Sequence, residues 1–270
     1  MIAQPFAASA QTDQERERRL HEDWAWLGRY QAENAALPAA RADVPRIVFL
    51  GDSITQGWVE KAGGFFTPGR IGRGISGQTT PQMLLRFRQD VIDLHPAVVQ
   101  IMGGTNDIAG NTGPMTAAQS QANIRSMTEL AQAHGIRVIL ASIPPTDCFP
   151  WRPGIAPAPR IAAMNAWLRD YARSVGATYA DYWTALHDGQ AMRAAFTIDG
   201  VHPNAAGYAA MAPVAEAALA RALAAPAPRP PRHRVLAASS RDQRRAAPRT
   251  PEESPQRAGT IVARQSPPKA

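Results

Sequence analysis

The chain of 270 residues contains a single cysteine, Cys148. One thiol cannot build an internal disulfide framework or a paired-cysteine zinc or redox motif. No apolar run approaches the roughly 20 residues needed to cross a bilayer, so no membrane span is expected. Cysteine, histidine and carboxylate residues nowhere cluster at metal-ligand spacing, so no metal is expected, and no organic cofactor is called for.

Acidic residues are scarce at one end only. Residues 226–270 hold ten Arg or Lys against three Asp or Glu, which accounts for the whole formal net charge of +7. That stretch also carries nine of the 24 prolines and only four branched or aromatic apolar residues, Val235, Leu236, Ile261 and Val262. So little apolar surface cannot offset the entropy of ordering the chain, and the composition predicts a disordered basic tail. Such an arm can meet nucleic acid or anionic lipid. The absence of aromatics from it argues against base stacking and favours a solvated appendage.

What remains is charge-balanced and 45% of the whole chain is apolar, enough for a sizeable core. The opening residues lack a basic region and a long apolar run, which reads as a cytoplasmic protein. Ala8-Ser9-Ala10 nevertheless resembles the small-residue end of a signal peptide, and export to the periplasm or beyond is the alternative. Thr12 and Glu15 have capping-box spacing, and Leu20, Trp24 and Leu27 recur on one face, predicting a helix over about 13–36 whose stripe meets a core.

From residue 46 short apolar runs alternate with amphipathic segments. The runs Arg46–Leu50, Arg70–Arg73, Ala97–Met102, Arg137–Ser142 and Ala177–Ala180 read as strands buried on both faces. Thr80-Pro81 opens one intervening helix and Thr116 with Gln119 caps another. Pro159 opens a third and Pro203 the last, Ala-rich one. Strand and helix in alternation predict an α/β fold: a three-layer α/β/α sandwich around a five-stranded parallel sheet. The domain plan is an N-terminal segment at 1–45, a globular domain at 46–225 and the tail at 226–270.

Ligands on such sheets bind beyond the carboxyl ends of the strands. Four loops there carry chemistry. Gly51-Asp52-Ser53 places a serine on a tight turn, either as a nucleophile or as part of a helix cap. Gly72-Arg73-Gly74-Ile75-Ser76-Gly77 has dinucleotide-fingerprint spacing but follows a poor strand, and its acidic partner, Asp93, falls inside a helix. Its glycines suit close approach of backbone N–H groups to a ligand. Asn106, in Gly103-Gly104-Thr105-Asn106-Asp107, can offer its amide to a developing negative charge, or the segment is a polar capping turn. Asp199 and His202 can orient one another, leaving one imidazole nitrogen as a base, or His202 is an ordinary surface histidine. Ser76 is the rival nucleophile. Asp52 and Asp107 read as loop braces. Phe149 and Trp151 border a pocket if the 144–159 loop lines one. Trp24, Trp26, Trp167 and Trp183 read as packing residues.

In their order these loops resemble the blocks of the SGNH (GDSL-type) serine esterase superfamily. Ser53 matches the serine of the first block, Gly74 the glycine of the second, Asn106 the asparagine of the third, and His202 the last histidine with Asp199 three before it. Arg73–Thr80 (RGISGQTT) is similar to the catalytic subunits of platelet-activating-factor acetylhydrolase and their bacterial relatives. The usual leucine of GDSL is Ile54, a conservative departure, and the likeness spans about residues 46–224. No G-x-S-x-G elbow exists, which disfavours the unrelated α/β-hydrolase class.

The resemblance implies a flavodoxin-like fold and hydrolysis of a small-molecule carboxylic ester, with short acyl chains favoured and acetylated carbohydrates or lipids as candidates. It implies Ser53, His202 and Asp199 as the catalytic set, with Ser53, Gly74 and Asn106 forming the oxyanion hole. An acyltransferase using the same acyl-enzyme, and a nucleic-acid or surface-binding protein acting through the tail, are the competing functions. Oligomeric state leaves no mark on the sequence.

Overall fold

The computed structural model describes residues 13–41 and 43–229. Thr12, the Ala8–Ala10 run and the tail beyond residue 229 lie outside the described residues.

The chain enters through α1 (Asp13–Glu22) and α2 (Gln31–Ala35), then forms β1 (Ile47–Gly51). α3 (Ser53–Lys61) leads to β2 (Arg70–Gly74), and α4 (Thr80–Leu85) with α5 (Phe87–Asp90) leads to β3 (Val98–Met102). α6 (Thr105–Ala109) and α7 (Ala117–Ala133) precede β4 (Arg137–Ala141), and α8 (Ala158–Ser174) precedes β5 (Thr178–Ala180). α9 (Tyr182–Leu186), the small hairpin β6 (His187–Asp188) and β7 (Ala191–Met192), and α10 (Ala205–Ala224) follow.

The five long strands pair in parallel in the order β2-β1-β3-β4-β5. That is the flavodoxin-like order, with its switch point between β1 and β3. β1, β3 and most of β4 are buried along their length, because successive side chains serve opposite cores. Val48, Leu50, Val99, Ile101 and Leu140 meet Met83, Phe87, Met127 and Leu168 of α4, α5, α7 and α8 on one side. Ile47, Phe49, Val98 and Ile139 meet Trp58, Tyr182, Tyr208 and Met211 of α3, α9 and α10 on the other. Continuous apolarity in the sequence is thus two interleaved alternations.

The N-terminal expectation is corrected. The helix stops at Glu22, and Leu20, Trp24 and Leu27 stay exposed at 39%, 36% and 42%. Asp23 ends it: its carboxylate accepts the N–H groups of Leu27 and Gly28, at 2.7 and 2.9 Å, offering the backbone an alternative to the helix. Trp26 then turns through a left-handed conformation. The residues buried instead are Ala25 and Tyr30. Trp24 is therefore not a packing residue of the core, whereas Trp58, central to an aromatic cluster with Phe49, Phe65, Tyr182 and Tyr208, is.

Helix punctuation shifts by one or two residues. Thr79, not Thr80, caps α4, in a capping box with Gln82. Thr116 and Gln119 form the expected box before α7. α8 begins before Pro159, and Asn204, not Pro203, caps α10 by accepting the Gly207 N–H.

An ion pair with no access to water lies beneath β1. Arg86 and Asp90 are both fully buried, 3.0 Å apart. The guanidinium also donates to the Gln78 side chain at 2.6 Å and to the Gly51 carbonyl at 2.9 Å. Asp90 accepts a second bond from Asn34 of α2 at 2.8 Å, and Asn34 in turn accepts from Arg73 of β2. Burial pulls the Arg86 pKa down, opposed by Asp90. At the other end of β2 the pair Arg70–Glu216 is bidentate but half-exposed on its acidic side. Asp90→Ala should lower unfolding free energy by about 3–5 kcal/mol, since a buried cation is left unpaired. Glu216→Ala should cost under about 1 kcal/mol. Urea denaturation of both variants measures the contrast.

Candidate active site

β1 ends where only glycine fits. A Cβ on Gly51 would stand 2.1 Å from Thr55 Oγ1 and 2.8 Å from the Met102 carbonyl. The chain turns tightly there, and buried Asp52 caps α3 by accepting the Ile54 N–H at 3.0 Å. Ser53 becomes the first residue of that helix, at its partially positive end. Asp52 supplies the cap expected for this turn, and Ser53, half-buried, opens the helix behind it.

His202 reaches Ser53 from 149 residues away. It sits in a loop whose backbone is tied by one carboxylate oxygen: Asp199 Oδ1 accepts the N–H groups of Val201 and His202 at 3.0 and 2.8 Å. The other oxygen lies 2.7 Å from His202 Nδ1, and His202 Nε2 lies 2.9 Å from Ser53 Oγ. With Nδ1–H directed at Asp199, Nε2 is left to accept the Ser53 proton. Desolvation would raise the Asp199 pKa, but the His202 N–H, the imidazole and the Val201 N–H outweigh it, and the pKa lies below the usual value. Tyr208 of α10 donates to the Ile54 carbonyl at 2.9 Å, tying the helix after His202 to the turn that carries Ser53.

Gly74 lies inside β2 rather than in a loop beyond it, a correction to the reading of Gly72–Gly77. A Cβ there would meet the Gln56 nitrogen at 2.2 Å and the Asp52 carbonyl at 2.7 Å, so β2 presses directly on the first turn of α3. Tyr30 fastens the same residue from the N-terminal segment by donating to its carbonyl. Ser76 is exposed, with its backbone N–H on the Gln56 side chain. It lies outside the Ser53–His202–Asp199 line.

Asn106 is buried beside this line but is not idle. Its amide donates to the Gln78 carbonyl at 2.9 Å and to Asp52 Oδ2 at 3.2 Å. Its oxygen accepts from Asn111 at 2.7 Å. Asp107 braces the third loop, accepting the N–H and hydroxyl of Thr80 and the Ser120 hydroxyl. Sequence reasoning missed Tyr30, Gln78, Arg86, Asn111 and Tyr208. Only the RGISGQTT stretch, which contains Gln78, offered a signal for any of them. Among the described residues no group of three or more His, Cys, Asp or Glu could hold a metal ion.

Burial pushes the Asp52 carboxyl up to about 6 from 3.8, with the Ile54 N–H and His202 pulling down and Asp107 adding to the rise. A carboxyl raised on folding stabilises the fold while native and unfolded forms are both protonated. That contribution is lost as pH rises through the native pKa. The stability difference between Asp52→Asn and the parent protein should therefore grow in favour of the variant by about 3 kcal/mol between pH 3.8 and just above 6. Denaturant unfolding across that window reads it; a flat difference would contradict the assignment.

The GDSL-like lipase/acylhydrolase family matches residues 49–210. A candidate acylhydrolase from Bacteroides fragilis is 45% identical, with a TM-score of 0.73 over 75% of this chain and 99% of that one. A GDSL-like lipase from Bacteroides thetaiotaomicron is also 45% identical, with a TM-score of 0.72 over 74% of this chain and 100% of that one. An uncharacterized lipoprotein of Bacillus subtilis, YqeF, is 38% identical over 78 residues, 28% of this chain and 32% of that protein. The family match spans most of the sheet, whose strand order is 2-1-3-4-5, and the chain belongs to the GDSL-like lipase/acylhydrolase family of ester-cleaving enzymes.

Proposed function

We propose that the protein hydrolyses carboxylic esters through an acyl-enzyme on Ser53. One observation carries the reading: a hydroxyl, an imidazole and a carboxylate in line, at 2.9 and 2.7 Å, drawn from segments 149 residues apart. Ser53 Oγ attacks the ester carbonyl carbon while its proton passes to His202 Nε2. Asp199 keeps the tautomer and balances the imidazolium. Collapse expels the alcohol, which leaves with that proton. Water, activated by the same imidazole, then attacks the acyl-enzyme and releases the acid.

The oxyanion would be received by the N–H groups of Ser53 and Gly74 and by the Asn106 amide. Ser53 opens α3, whose N-terminal partial charge favours a developing anion. Of the two Asn106 bonds, the longer one to Asp52 is the one an oxyanion would draw on.

The proposal extends to short acyl chains, acetyl esters of carbohydrates or lipids, in line with the likeness of residues 73–80 to acetylhydrolases.

Ser53→Ala should cut kcat by about a millionfold. Asn106→Ala should cut it by about 100- to 1000-fold with little change in KM. Both are measured on p-nitrophenyl acetate, with fluorophosphonate labelling mapped by mass spectrometry. Full turnover in Ser53→Ala, or labelling elsewhere, would refute the scheme.

A further inference from the structure

Proton return to the leaving alcohol identifies which side of the site meets which half of the substrate. The alcohol oxygen must approach His202, while the carbonyl oxygen lies toward Asn106 and Gly74. A residue that flanks the imidazole at the surface therefore faces the alcohol half. Trp151 is that residue: its ring centroid lies 6.0 Å from that of His202, with planes inclined by 34°, and it is 39% exposed.

An exposed indole is usually free to turn, but this one is held. It rests on buried Phe149, with centroids 5.2 Å apart, and its Nε1–H donates to Asn111 Oδ1 at 3.0 Å. Asn111 passes the tie on, donating from its own amide to Asn106 Oδ1 at 2.7 Å and to the Gly77 carbonyl at 3.3 Å. Two hydrogen bonds thus connect the surface aromatic to the residue assigned to the oxyanion. Asp147 and Arg152, close to Trp151 in the chain, are exposed polar groups, and the Arg152 guanidinium donates to the Gly110 carbonyl at 3.3 Å. An apolar face bounded by hydrogen-bonding groups matches a pyranose, which has C–H bonds on its face and hydroxyls around its edge.

We infer that Trp151, fixed by Asn111, is the platform for the leaving group and selects esters whose alcohol half is a sugar ring. The inference rests on the hydrolase reading above and deepens it. Asn111 is a positioning residue in this scheme: it holds both the indole and the Asn106 amide.

The test compares two acetate esters that release the same acid, glucose pentaacetate and ethyl acetate, by pH-stat titration of the full chain. Trp151→Ala should lower the ratio of kcat/KM for the sugar ester over the ethyl ester by about tenfold. Trp151→Phe, which keeps an aromatic face but loses the bond to Asn111, should retain part of the preference. Thermal unfolding of each variant accompanies the rates. A ratio unmoved in Trp151→Ala, or both esters slowed in equal proportion, would make Trp151 a mere cover for Phe149 and overturn the inference. A parent enzyme that cleaves neither ester and takes no fluorophosphonate at Ser53 would instead bring down the hydrolase reading, and this one with it.

Discussion

A guanidinium sealed from water beneath the end of β1 sets the terms for the rest of the molecule. Arg86 cannot remain buried unless its charge is balanced and its donors are met. The groups that meet them are Asp90, Gln78 and the carbonyl of Gly51. Gly51 is the last residue of the strand before Ser53. Gln78 belongs to the loop after β2, and its own carbonyl receives Asn106. One buried cation therefore ties three segments of the site at a fixed spacing, with little freedom for any of them to relax alone.

The N-terminal segment completes this arrangement from outside the span matched by the family. Gln78 and Gln82 donate to the carbonyls of Ala25 and Trp24, and Asn34 shares Asp90 with Arg86. Tyr30 adds its bond to Gly74. These are long polar side chains and main-chain carbonyls rather than an apolar stripe. This explains how a segment with exposed leucines can still be seated firmly. The site is supported from below by a buried ion pair and from the side by a hydrogen-bonded strap.

The site and the sheet were legible to different degrees. The three central strands, β1, β3 and β4, could be read because a doubly covered parallel sheet writes itself as short continuous apolar runs. Ser53, Gly74 and Asn106 lie near strand ends, where such sheets place ligands, and the resemblance to the SGNH blocks joins them to Asp199 and His202. The expected strand Arg70–Arg73 extends to Gly74: an edge strand with Ile71 as its one apolar side chain has a weak signature, and pairing with β1 decides where it ends. Hydrophobic spacing alone extends the N-terminal helix past Glu22, whereas the Asp23 carboxylate captures two backbone donors and ends it.

Residue order by itself determined the class of fold, because periodicity and turn chemistry are local properties, and the resemblance of four short loops pointed to the family and nominated the candidate reacting groups. Which groups stand next to each other was decided only on folding. The 2.9 Å contact of Ser53 with His202, the occupied amide of Asn106 and the indole beside the imidazole all depend on how distant loops converge. That convergence follows from strand order, close glycine contacts and the satisfaction of buried charge, none of which any single stretch of sequence contains.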